Sequence, residues 1–275
     1  MKRRVVEKRA RKERDDTTLI ARFGAELPLS PPAAHTAVTD WLSDIKLTAT
    51  GKSLTKLCAS RSGLARGLDG IAEASPYLWD LIRDDPVRLA RLLTSNPDNE
   101  FAALLTAAKR RAATARSPAA VMRALRRMKA DAALLIALAD IGGVWPVPRV
   151  THALTDVAET ALHVAVHYLL RDAVKYGRLE PRDKSHPELD SGYIVLAMGK
   201  MGGCELNFSS DIDLMVFFDT AAAKLADRIE PQEFYVRLTR DLVKLLQERT
   251  PDGYVFRVDL RLRSEERRVG KECVP

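Results

Sequence analysis

Apolar residues recur at three- and four-residue steps through roughly the first two thirds of the chain, and the period then shortens to two. In "AAVMRALRRMKADAALLIALADIGG" the positions Val121, Leu125, Met128, Ala132, Leu135 and Leu138 follow one another along one helical face. Arg123, Arg126, Arg127 and Lys129 lie around it. That stripe predicts a helix buried on one side. Ser117-Pro118 supplies its start and Gly142-Gly143 its stop. A second long helix is predicted from about Thr151 to Tyr176, closed by Gly177. Upstream, "SPYLWDLIRDDPVRLARLL" predicts two short helices opened by Pro76 and Pro86. From about Thr36 to Tyr176 these elements read as a helical bundle without an internal repeat.

Residues 178–191, "RLEPRDKSHPELDS", interrupt the pattern with two prolines and many charges, as a linker does. Beyond it, "GYIVLAMG" and "DIDLMVFFD" are short apolar runs bounded by glycine or charge, which predicts strands. "PQEFYVRLTRDLVKLLQERT" places Phe234, Leu238, Leu242, Leu245 and Leu246 on one face of a helix. "GYVFRVDLRLR" alternates, with Tyr254, Phe256, Val258, Leu260 and Leu262 against Arg257, Asp259, Arg261 and Arg263. It predicts a strand with one charged face. The expected class is α+β, with a basic tail and lead-in over 1–35, a helical domain over 36–177, a linker over 178–191 and a sheet-containing domain over 192–263.

Composition changes this picture little. A chain of 275 residues is long enough for one large domain or two ordinary ones. The longest apolar run, Ala132 to Ala139, falls far short of a membrane span. The basic N-terminal residues lack the apolar stretch of a secretory signal. Cys58, Cys204 and Cys273 have neither paired nor metal-type spacing, which suits a reducing cytoplasm. Much of the net charge of +7 sits in "MKRRVVEKRARKERDD". That segment has no aromatic residue to stack on a base, so it reads as a solvated tail rather than a nucleic-acid-binding arm.

Three candidate motifs fail on inspection. Gly51-Lys52-Ser53 matches the end of a phosphate-binding P-loop, but Lys46 stands where its first glycine belongs and no strand precedes it. A loop opening a helix at Ser53 is the better reading. His163 and His167 have the spacing of a zinc-binding helix, but Val164 replaces the glutamate and no third ligand is evident. Cys204 has no histidine near it in sequence to activate a nucleophile.

"LAMGKMGGCELNFSSDIDLMVFF" is different. Residues two apart in a strand share a face, so Asp211 and Asp213 project together while Ile212 and Leu214 face the other way. Carboxylates about 5–6 Å apart repel by about 3 kcal/mol at an effective dielectric of about 20. A divalent cation offsets that repulsion, and Mg²⁺ binds through one or two carboxylates plus phosphate oxygens and water. Gly199, Gly202 and Gly203 follow the first strand, allow close backbone approach and can aim N–H groups at phosphate, with Lys200 adding a cation. Asp259 offers a third carboxylate. The alternative makes Asp211 an exposed strand-end charge and Asp213 the partner of an arginine.

Strand, glycine turn, "SDIDL" and a later strand aspartate together resemble the polymerase-β-like nucleotidyltransferase superfamily. Lys200 stands where many members of it have serine. "GKMGGCELNFSSDIDLMVFF", "SPYLWDL", "RRMKADAALLIALADIGGVWPV" and "YVFRVDLRLR" resemble, more closely, the N-terminal part of the glutamine synthetase adenylyltransferase/adenylyl-removing enzyme family, over about residues 36–263. The resemblance implies a helical bundle followed by a partial nucleotidyltransferase domain with a short mixed sheet. In that family a first domain removes AMP from adenylylated glutamine synthetase, using phosphate and releasing ADP, and a second adds AMP from ATP. The form "ELNFSSDIDL" resembles the first.

By the resemblance, Asp211 and Asp213 would ligate Mg²⁺, and Asp259 would bind metal or polarise the attacking phosphate. Gly199, Lys200, Gly202, Gly203, Ser209 and Ser210 would line the phosphate or nucleotide side, and a PII-type protein would regulate the enzyme. After "RVDLRLR" the family continues with a proline and a glycine-containing stretch. Here "SEERRVGKECVP" follows, and "RSEERRVGKEC" resembles a translated sequencing adapter. The expectation is a truncated product with a non-native tail over 264–275. Two other readings stay open: a Mg²⁺-dependent enzyme moving AMP from ATP to a protein or small molecule, and an inactive fragment acting as a helical interaction domain.

Overall fold

A computed structural model of the chain describes residues 17–24, 31–222 and 224–264. The basic arm over 1–16 and residues 265–275 of the expected tail lie outside the described residues. The described helices are α1 (Leu19–Arg22), α2 (Pro32–Ile45), α3 (Ala49–Ser60), α4 (Ser62–Ala74), α5 (Pro76–Asp84), α6 (Pro86–Thr94), α7 (Pro97–Ala113), α8 (Pro118–Ile141), α9 (Val147–Lys175), α10 (Gly199–Gly202) and α11 (Pro231–Gln247). Three strands, β1 (Tyr193–Ala197), β2 (Ile212–Phe218) and β3 (Val258–Ser264), complete an α+β fold. The described residues fall into two compact units, divided along the chain as 1–107 with 127–154 and 108–126 with 155–275. Helices α7, α8 and α9 each divide their length between the two.

Side-chain caps set the helix starts in the first unit. Ser75 accepts from Leu78 N at the start of α5, and Asp85 accepts from Arg88 N at the start of α6. Pro76 and Pro86 take the first helical positions, where no N–H is needed. Helix α3 begins at Ala49, four residues before the expected start at Ser53, because the Thr48 hydroxyl accepts from Gly51 N at 2.9 Å. Gly51-Lys52-Ser53 is therefore helical. A Cβ at Gly51 would lie 2.0 Å from the Ile45 carbonyl oxygen, so the close approach itself calls for glycine.

The core of this unit gathers Leu54, Leu64, Leu68, Ile82, Leu89 and Leu92. Trp41 and Trp79 meet edge to face at 5.6 Å. One charged network is built into it. Arg88 Nε donates to Asp131 Oδ1 at 2.6 Å, Arg91 Nη2 donates to Asp131 Oδ2 at 3.1 Å, and Arg91 also pairs with Glu100.

Helix α8 departs from the expected one-sided burial. Every residue from Asp131 to Ala139 is buried, because its small alanines let neighbours close on all sides. Arg126, expected on the polar side, is only 2 % exposed. Helix α9 starts at Val147 rather than Thr151. Pro148 fits the first turn, and Arg149 N and Val150 N both donate to Pro146 O.

In the second unit the strands lie in the order β1-β2-β3. β1 runs antiparallel to β2, and β2 runs parallel to β3, with α11 in the connection that a parallel pair requires. Burial alternates along β2: Ile212, Leu214, Val216 and Phe218 are buried, while Asp213, Met215 and Phe217 are half-buried. Tyr235 of α11 stacks on Phe218 at 4.9 Å and donates its hydroxyl hydrogen to Ser191 O at 2.7 Å. Tyr193 OH and Thr239 Oγ1 lie 3.0 Å apart. Burial pushes both phenols up to about 12.

β3 starts at Val258, not at Tyr254 as the alternation suggested. Val255 N and Phe256 N both donate to Leu246 O, and both side chains are buried in succession, which no strand face allows. This segment is docked on the end of α11 instead. The buried Arg126 holds it there: its guanidinium donates to Leu245 O at 3.1 Å, Gly253 O at 2.7 Å, Met122 O at 3.2 Å and Glu248 O. A cation thereby satisfies carbonyls that the end of α11 leaves without helical partners.

Candidate active site

The parallel register sets Asp213 directly opposite Asp259. Both belong to the face of β2 and β3 turned away from the buried side chains, and Asp259 is exposed. Across β2 on that face, β1 presents Leu196 opposite Met215 and Ile194 opposite Phe217, and both β1 residues are exposed. Like charges directly opposite one another destabilise a ladder. Among the described residues no side-chain hydrogen bond or ion pair engages Asp213 or Asp259.

Gly199 shapes the space around Asp213. Its φ is +53°, and a Cβ there would lie 2.6 Å from Asp213 Oδ2. Met198 N donates to Asp213 O at 2.9 Å, which fastens the turn beside this aspartate. Gly202 has another reason to be glycine, since a Cβ would meet the Ala197 carbonyl oxygen at 2.5 Å. Nothing closer than 3.6 Å would meet a Cβ at Gly203. The N–H groups of Gly202 and Gly203 donate to Met198 O and Gly199 O inside the turn. Lys200 is exposed on α10.

Asp211 precedes β2, half-exposed, and its carboxylate accepts from Arg257 Nε. The same guanidinium donates through Nη2 to Ser209 O at 3.2 Å. Ser209 has φ +60°, and the Ser210 hydroxyl donates to Asn207 Oδ1. Of the expected carboxylates, then, the structure brings Asp213 and Asp259 into opposition and ties Asp211 to an arginine. Sequence reasoning placed Arg257 only on a charged face. The signal that identifies it is register: one step before Ile212 and Val258, Asp211 falls opposite Arg257.

Among the described residues no group of three or more His, Cys, Asp or Glu is arranged around a metal position. Asp213 and Asp259 nevertheless fit a hard divalent cation, which takes one or two carboxylates and completes its shell with water and phosphate oxygens. The missing Cβ of Gly199 leaves room for the Asp213 carboxylate to serve.

A family profile for glutamate-ammonia ligase adenylyltransferase matches residues 66–269. The chain belongs to this family. The bifunctional glutamine synthetase adenylyltransferase/adenylyl-removing enzyme of Rhodopseudomonas palustris strain HaA2 is 53% identical to it over 251 residues, 90% of this chain and 25% of that protein. The enzyme of the same name from Bradyrhizobium diazoefficiens is 60% identical over 198 residues, 72% of this chain and 20% of that protein. That from Xanthobacter autotrophicus is 49% identical over 231 residues, 81% of this chain and 23% of that protein. The chain spans about a quarter of the length of these adenylyltransferase relatives.

His167 Nδ1 lies 3.0 Å from Glu188 Oε2, and His163 is exposed on the same helix. Cys204 is a half-buried free thiol with φ +56°. No described helix is long and apolar enough to cross a membrane.

Proposed function

We propose that this chain carries a phosphorolytic adenylyl-removing site, acting on the adenylyl-tyrosine of glutamine synthetase in the cytoplasm. An oxygen of inorganic phosphate forms a bond to the phosphorus of AMP, the tyrosyl oxygen leaves and takes a proton, and ADP is released. The opposition of Asp213 and Asp259 beside Gly199, in a chain of this family, carries the reading. Asp213 and Asp259 would hold Mg²⁺, which supplies charge neutralisation at the transferred phosphoryl group. Asp211 would complete the carboxylate set, and Asp259 has the alternative task of polarising the attacking phosphate. Lys200, Ser209 and Ser210, with Gly199, Gly202 and Gly203, would border the anion. Fixed charges and positioning then supply the acceleration. A PII-type signalling protein is the expected regulator.

The test is release of ADP from adenylylated glutamine synthetase with phosphate and Mg²⁺. Asp213→Asn should lower the rate about 10²-fold or more while leaving the far-ultraviolet circular dichroism unchanged. An unchanged rate would remove this aspartate from the chemistry. The relatives' name also includes adenylyltransferase, so transfer of AMP from ATP is the second reading. Labelled ATP separates the two, because phosphorolysis consumes none.

A further inference from the structure

Arg257 ties the loop before β2 to the start of β3. Ile212 N donates to Arg257 O at 3.0 Å, so the backbone ladder begins at this residue. Its guanidinium then spans the gap to Asp211 and to Ser209 O. Asp211 is thus neutralised by a protein cation, whereas among the described residues no protein cation pairs with Asp213 or Asp259. Both partners are well exposed, at 58% for Arg257 and 50% for Asp211, so water can replace either contact at little cost. A guanidinium is also the side chain best shaped to grip phosphate oxygens in pairs.

We propose that Arg257 is a placeholder cation: it occupies Asp211 while the carboxylates hold no divalent ion, and yields Asp211 to that ion to contact the incoming phosphate. The proposal rests on the site described under Proposed function. It accounts for why, among the described residues, one of the three aspartates has an arginine partner and the two in opposition have none. Arg257 acts on cation binding through Asp211, as a positioning residue, and meets the substrate anion only after the exchange.

The experiment titrates the 275-residue chain with Mn²⁺ by calorimetry, and then with inorganic phosphate at saturating Mn²⁺. Arg257→Ala should bind Mn²⁺ about two- to fivefold more tightly, because a competing positive charge is gone. It should bind phosphate about tenfold more weakly. Arg257→Lys, which keeps the charge but loses the fork, should bind Mn²⁺ with near-native affinity and phosphate weakly. Mn²⁺ affinity that is unchanged or weaker in an Arg257→Ala protein of native thermal midpoint overturns the exchange. Unchanged phosphate affinity overturns the anion contact. Should Arg257→Ala not fold, Arg257→Gln removes the charge at similar length and carries the same expectations. If Asp213→Asn and Asp259→Asn leave Mn²⁺ binding intact, the carboxylate site itself is wrong, and Arg257 can be judged apart from it.

Discussion

Gly199, Gly202 and Gly203 stand close together in sequence but are not equally constrained, and substitution separates them. Gly199→Ala places a methyl group 2.6 Å from Asp213 Oδ2 on a backbone of positive φ. The left-handed conformation alone costs a non-glycine residue about 1–2 kcal/mol. The Asp213 carboxylate must then move, so ADP release should fall at least about tenfold, along with the melting temperature. Gly203→Ala is the control: its φ is −83° and the space is open, so stability should change by less than about 0.5 kcal/mol. The glycine turn and the spaced aspartates were legible in the sequence, because residue type and spacing carry them. Which glycine touches which aspartate was not, since that contact joins a turn to a strand that follows it. The arginine on Asp211 was hidden for a related reason: a period of two assigns Arg257 to a face, and only the register of the β2–β3 pair assigns it a partner.

At the scale of elements, Arg126 links α8 to the end of α11 and to the turn before β3, and so fixes the approach to Asp259. Arg126→Met would take from Leu245 O and Glu248 O the donor that serves them at the end of α11. It should lower the unfolding free energy by about 3 kcal/mol or more in chemical denaturation. Arg123→Met on the exposed side of the same helix should change it by less than about 0.5 kcal/mol. Helices and strands themselves were largely readable, from apolar period and from prolines at helix starts. Their ends were less so. Thr48 starts α3 early through a hydroxyl cap, and Leu246 O captures the two backbone N–H groups that would have opened β3. Burial of residues 131–139 of α8 on every side was unreadable because alanine serves a polar flank and a close contact equally well.

For the whole molecule, two kinds of group make stability depend on pH, with opposite signs. Burial pulls the Lys129 ammonium down from 10.5 to about 8. Between those values the unfolded chain binds more protons, so this group makes stability rise from about pH 8 to pH 10.5. Thermal melts should show Lys129→Met most stabilising relative to the parent below pH 8, with the difference shrinking above it. Tyr193 and Tyr235, raised from 10.0 to about 12, act the other way and withdraw stability as pH rises through that window. The α+β class and the family were visible in local motifs, whereas the two compact units interleave along the chain. Sheet order has a further consequence. Asp213 rides on a strand laddered on both sides, while β3 has one strand partner among the described residues. Amide hydrogens of β2 should therefore exchange with deuterium more slowly than those of β3. The opposed carboxylates would then part each time the edge strand opens, and their lifetime as a pair would be set by β3 alone.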